Sequence, residues 1–118
     1  MLIFFINSHN NAKIHSLSSV QHIRNEIKKR KRATVGFLQK MELKDLVIIL
    51  AISYHNLGNE EEFFNNFDKS YEYFQKSIEE MEANLEEPHP LLAKFKAELS
   101  QFLEVSLFFS FFIFLQNS

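Results

Sequence analysis

Read from its apolar positions, the chain divides into helical stretches separated by a few breaks. Leu50, Tyr54, Leu57 and Phe64 recur at intervals of four, three and seven, while Phe67, Tyr71, Phe74, Ile78, Met81 and Leu85 repeat at three or four. Each series lines one face of an α-helix, because side chains return to the same side about every 3.6 residues. Asn65 and Asn66 stand between them, and asparagine both tolerates the left-handed backbone and caps a following helix. Asp68 then suits the positive end of the second helix. The pattern predicts a helical hairpin over residues 42–86, its first helix starting near Glu42. Small residues, Ala51, Gly58, Ser70 and Ser77, fall between the two apolar faces. Glycine inside a helix costs about 1 kcal/mol relative to alanine, so a closely packed neighbour is expected at Gly58.

The flanks carry weaker patterns. Leu17, Val20, Ile23 and Ile27 form a narrow stripe that predicts a flanking helix within residues 16–40, capped by the serines at 16, 18 and 19 and broken at Gly36. Residues 1–15 read as a loose terminus. The first six are apolar but lack the basic region and longer apolar core of a secretory signal, and residues 7–14 are polar without a period. Pro88 and Pro90 end the second hairpin helix, and Pro90 suits the first turn of another. Leu92, Phe95, Leu99 and Phe102 give that helix, residues 90–116, an apolar face fit to cap the hairpin. Residues 47–50 are apolar on every side, so more than one side should be covered. Residues 16–118 thus form a single all-α domain.

Residues 51–84 resemble one tetratricopeptide repeat, a unit of about 34 residues with a characteristic spacing of aromatic, Leu-Gly and small positions. Tyr54 takes the place of the repeat's first large aromatic, Leu57-Gly58 its Leu-Gly pair, Phe67 the aromatic opening its second helix, and Phe74 its later aromatic. Asn65 stands where the family has a turn glycine, Ser70 and Ser77 where it has alanines, and Glu61 where it usually has tyrosine, which places Glu61 in a partly buried position. The resemblance implies an antiparallel hairpin whose packing residues are Tyr54, Leu57, Gly58, Phe67, Ser70, Phe74 and Ser77. It also implies a non-enzymatic module for protein–protein contact, with the first helix facing a peptide groove and with the chain forming a terminal piece of a longer scaffold. The groove candidates are His55, Asn59 and Glu62. Family members that grip a terminal carboxylate carry lysine and asparagine four apart, and here His55 replaces that lysine. Because stacks of repeats need about three units, flanking helices, another copy or a missing remainder must complete the core, and the apolar surplus of the chain leads to an expectation of self-association.

Charge and composition refine this picture. The net charge of −2 conceals nine Lys and Arg against three acids before Ala51, and four against twelve after it. The run Lys28, Lys29, Arg30, Lys31 and Arg32 reads as a solvated helix end complementing the macrodipole. It also resembles a short nuclear-import signal. Nucleic acid is a poor fit, since no aromatic interleaves with the basic residues to stack on bases. With no cysteine, neither disulfides nor thiolate chemistry are available. No histidines lie three or four apart to hold a metal, and no nucleophile–base spacing emerges. His15 and His22 read as surface residues, and Glu60, Glu61 and Glu62 as a solvated acidic face. No enzyme, cofactor or metal is therefore expected, and the cytoplasm is the expected compartment, with nuclear or membrane-associated placement as alternatives. The membrane alternative rests on residues 105–115, which lack any charge. At about 1.5 Å per residue they reach only half of a bilayer's hydrocarbon core. Three readings stand: packing inside this protein or a partner, a membrane-attached tail, or translated non-coding sequence, which would also account for the aromatic-rich first residues.

Overall fold

Four helices follow one another in the computed structural model, which describes residues 2–32 and 37–117, without the side chains of residues 2, 5, 30–32 and 37–42. They are α1 (Leu2–Arg32), α2 (Phe37–Phe63), α3 (Phe67–Asn84) and α4 (Pro90–Gln116). The chain is all-α, and no strand occurs among the described residues. α2 lies in the middle, with α1 on one side and α3 on the other, and α4 packs against α3.

The α2–α3 hairpin is set by a close approach. A Cβ built on Gly58 would lie 2.5 Å from two ring carbons of Phe74. No side chain fits there unless Phe74 moves, and its ring is wedged between His55 and Phe102. The expected reason for Gly58 is thereby met. On α3 the buried face differs from the aromatic stripe. Ser70, Phe74, Ser77, Ile78 and Met81 are buried, while Phe67 and Tyr71 are more than a third exposed. The small serines, which let the helices approach, turn inward, so the face is rotated away from the two aromatics. Phe67 meets the Phe102 ring at a tilt of 48°, with 6.3 Å between ring centres.

The turn between the helices closes with two backbone bonds, Asn66 N–H to Glu61 O at 2.8 Å and Asn65 N–H to Glu62 O at 3.0 Å. Asn65 adopts φ of 61°, the left-handed conformation that ends many helices and that explains a glycine-like position there. The side chain of Asn66 does not cap α3. It donates instead to the Glu61 carboxylate at 2.7 Å.

The core has two parts. Val20, Ile23 and Ile27 of α1 meet Val47, Leu50, Tyr54 and Leu57 of α2, with Tyr73 of α3 and Leu85 just past its end at the edge. Ala51, Ile78, Met81 and Phe95 form the second, covered by Leu92 and Leu99. Leu17 lies outside the first part, exposed. Among residues 47–50, Val47 and Leu50 are fully covered while Ile49 is half exposed, so the all-round covering expected there is incomplete. α4 begins as expected, with Pro90 in its first turn and the His89 ring accepting from Leu91 N–H at 3.1 Å.

Three boundaries need correction. Residues 2–15 are not loose but form the first half of α1, and the serines at 16, 18 and 19 lie inside that helix rather than capping it. Neighbours from another helix hold this half. His9 stacks on Phe63 and pairs with Glu60, and Lys13 pairs with Glu61. Tertiary contacts of this kind override weak local propensity. α2 begins at Phe37, five residues before Glu42. The break expected at Gly36 lies outside the described residues.

The hairpin contact makes opposite forecasts for two small residues. Gly58→Ala should lower stability by about 1–2 kcal/mol, because overpacking against Phe74 outweighs the helix propensity gained. Ser70 is fully buried with its hydroxyl unpartnered, so Ser70→Ala should raise stability by about 1 kcal/mol. Urea unfolding followed by circular dichroism measures both, and a stabilising Gly58→Ala would contradict the close approach.

Candidate functional site

α2 and α4 each run antiparallel to α3 and therefore parallel to one another, and one face of each lines a cleft of about 260 Å³. His55, Asn59 and Glu62 line it from α2, at spacings of four and three that place them on one face. Glu98, Gln101, Phe102 and Val105 line it from α4, and Phe74 contributes from α3. Asn59 and Glu62 are exposed. His55 is buried: its ring lies flat on Phe95, with centres 4.0 Å apart, and its Nε2 donates to Glu98 Oε2 at 2.6 Å. The other ring nitrogen, Nδ1, is buried without a partner. Burial, above all, lowers the His55 pKa from 6.5, against the opposing pull of the Glu98 carboxylate. A second ring proton would have no acceptor, so the neutral tautomer with its proton on Nε2 fits this geometry.

The lining carries two carboxylates, Glu62 and Glu98, and neither lysine nor arginine. Such a cleft suits amide and cationic donors and disfavours a terminal carboxylate. Glu98 was not legible as a partner of His55, nor Gln101 as a wall of the cleft, since only the placement of α4 alongside α2 brings them there. The one available signal was that Phe95, Glu98 and Phe102 stand three and four apart.

A second polar cluster ties the helices together. Glu61 is fully buried, its carboxylate receiving the Lys13 ammonium of α1 and the Asn66 amide of the turn. Burial pushes its pKa up, but the bonds from Lys13 and Asn66, with the Lys13 and Lys69 charges, more than reverse this and hold it below the ordinary 4.5. The three consecutive glutamates therefore do not form one solvated face. Glu60 turns to His9, Glu61 turns inward, and Glu62 faces the cleft.

The remaining sequence candidates fall as follows. Tyr54 and Leu57 are in the core, and Tyr54 takes a hydrogen bond from Arg24. Ser77 is buried and donates to Phe74 O at 2.7 Å. His15 and His22 are on the surface. Lys28 and Lys29 are exposed near the end of α1, and the side chains of residues 30–32 lie outside those described. No group of three or more histidines and carboxylates able to hold a metal occurs among the described residues. No protein-family model, curated protein or solved structure matches the chain significantly.

Two titrations follow. A carboxyl whose folded pKa is depressed contributes stability that is present above the unfolded value and lost as pH falls through the folded one. Glu61→Gln should cost about 2 kcal/mol at pH 7, below the usual figure for a broken buried pair because Lys13 retains some solvent. That deficit should shrink as pH drops below 4.5; one that stays constant down to pH 3 would deny the charge any role. For His55, NMR should find a midpoint below 6.5 that moves lower still in Glu98→Gln, which removes the group opposing burial. The same sign rule makes the His55 contribution to stability fade as pH falls below 6.5.

Proposed function

We propose that the chain is a non-enzymatic helical module for protein–protein contact, built around a hairpin of tetratricopeptide type. The observation that carries this reading is the passage of Phe74 over Gly58, the close approach that the Leu-Gly and small-residue positions of such a repeat serve. Support comes also from the left-handed Asn65 at the turn-glycine position, and from α1 and α4, which cover the two sides that a lone repeat would leave open. The cleft between α2 and α4 is the docking place. Its carboxylates and side-chain amides select a segment bearing lysine, arginine or amide donors, with Phe74 and Phe102 beneath for the aliphatic stem.

Affinity capture with the intact chain and with an Asn59→Lys, Glu62→Lys variant tests this. Both positions are exposed, so the fold should survive, as circular dichroism would verify. The variant should lose at least tenfold of the proteins captured by the natural chain. Equal capture by the two would remove the cleft from the reading.

A further inference from the structure

Two helices carry apolar residues past the same end of the bundle. α4 runs alongside Phe67 and Tyr71 at the start of α3, next to the α2–α3 turn. α1 reaches that turn at His9, stacked on Phe63, and its earlier residues lie beyond it. At this level and beyond it stand Ile3 of α1, 75% exposed, and Leu107, Phe108, Phe111 and Phe114 of α4, each 60% exposed or more. The molecule is correspondingly long, 61 Å by 31 Å by 20 Å. Packing of residues 105–115 inside this protein, one of the readings above, is therefore excluded.

The distribution of these residues around α4 decides what covers them. At about 100° per residue, the apolar side chains of residues 105–114 occupy roughly three quarters of the circumference. Ser106 and Ser110 share the remaining side, which faces Phe67 and Tyr71 across a trough of about 480 Å³. A helix made for one protein groove carries a stripe, whereas a helix apolar almost all round needs a solvent that reaches every side. A second copy laid along this segment would cover half of a rod about 20 Å long and 10 Å wide, roughly 300 Å² per partner. Stable interfaces take about 800 Å².

We propose that this end of the molecule inserts into a lipid bilayer, with the uncharged residues 105–115 lying within one leaflet. A helix about 10 Å thick fits within a leaflet about 15 Å deep. Crossing is a different matter. By length and composition α4 as a whole could span a membrane, but Phe95 and Phe102 are buried against the hairpin and Glu98 is held by His55. The turns left over, residues 103–115, are about 20 Å long, short of a hydrocarbon core of about 30 Å. Charge does not drive the attachment. The groups near this end are Glu60, Glu62, Asp68 and Glu104 against Lys69, with Lys13 already taken by Glu61, and the basic run sits at the far end of α1. Binding therefore rests on apolar burial, is indifferent to anionic lipid, and requires no occupant in the cleft.

The full chain, synthesised cell-free with phosphatidylcholine vesicles and floated on a density gradient, provides the test. The natural chain should float, and a Phe108→Arg, Phe112→Arg variant should float at least tenfold less while keeping its helical circular dichroism, since both rings are exposed in the fold. Phosphatidylserine in the vesicles, or high salt, should leave flotation unchanged. Protease added outside should remove a C-terminal epitope. Failure to float, or equal flotation of the arginine variant, overturns the proposal. A protected epitope overturns it in favour of crossing, and a concentration-dependent dimer without flotation overturns it in favour of a second copy.

Discussion

The separation of α2 from α3 is governed by a missing side chain. With Gly58 under the Phe74 ring, the helices close far enough for Ser70 and Ser77 to be fully buried and for Met81 to reach Ala51 in the second core. A methyl group at Gly58 would push Phe74 toward His55 and Phe102, which it already contacts. Its displacement would therefore reach α4 and the wall of the cleft. The helix-propensity cost of glycine, about 1 kcal/mol, is offset by packing that a larger residue would forfeit.

A buried carboxylate does comparable service on the other side of α2. Desolvating Glu61 is unfavourable, and a buried ion pair gains little over apolar residues of similar volume. What the pair supplies is register. Lys13 can meet Glu61 only when α1 runs along α2 with His9 against Phe63, and the Asn66 amide locks the same carboxylate to the turn. Three elements converge on one side chain, which accounts for an ordered α1 over a stretch whose own asparagines and lack of periodicity favour disorder.

Periodicity made the hairpin, its turn and the start of α4 legible, because those depend on local rules: 3.6-residue spacing, a left-handed asparagine, a proline in the first turn. Elements settled by distant partners were not legible. The early start of α1 depends on Glu60, Glu61 and Phe63, some fifty residues away in the chain. Ser70 and Ser77 were legible as small packing residues between the helices and are fully buried, whereas the exposure of Phe67 and Tyr71 was not legible. His55, Asn59 and Glu62 were grouped correctly on one face by spacing, yet spacing could not reveal that Glu98 and Phe95 would take His55 out of solvent. At residues 60–62 the charge run alone reads as a solvated face, since composition reports how polar a segment is, whereas the repeat pattern placed Glu61 in a partly buried position, and it is fully buried.

The cleft and the apolar end meet in α4. Val105, the first residue of the uncharged stretch, lines the cleft, and Phe102 borders both the cleft and the trough beside the tail. The helix is continuous through both, from Pro90 to Gln116, with no proline or glycine beyond its first turn to act as a hinge. A force on residues 103–115 is therefore carried along a stiff rod into the turn that holds Glu98 against His55. Whatever occupies the cleft and whatever covers the tail consequently act on one rigid element, and neither can reposition it without altering the other's wall.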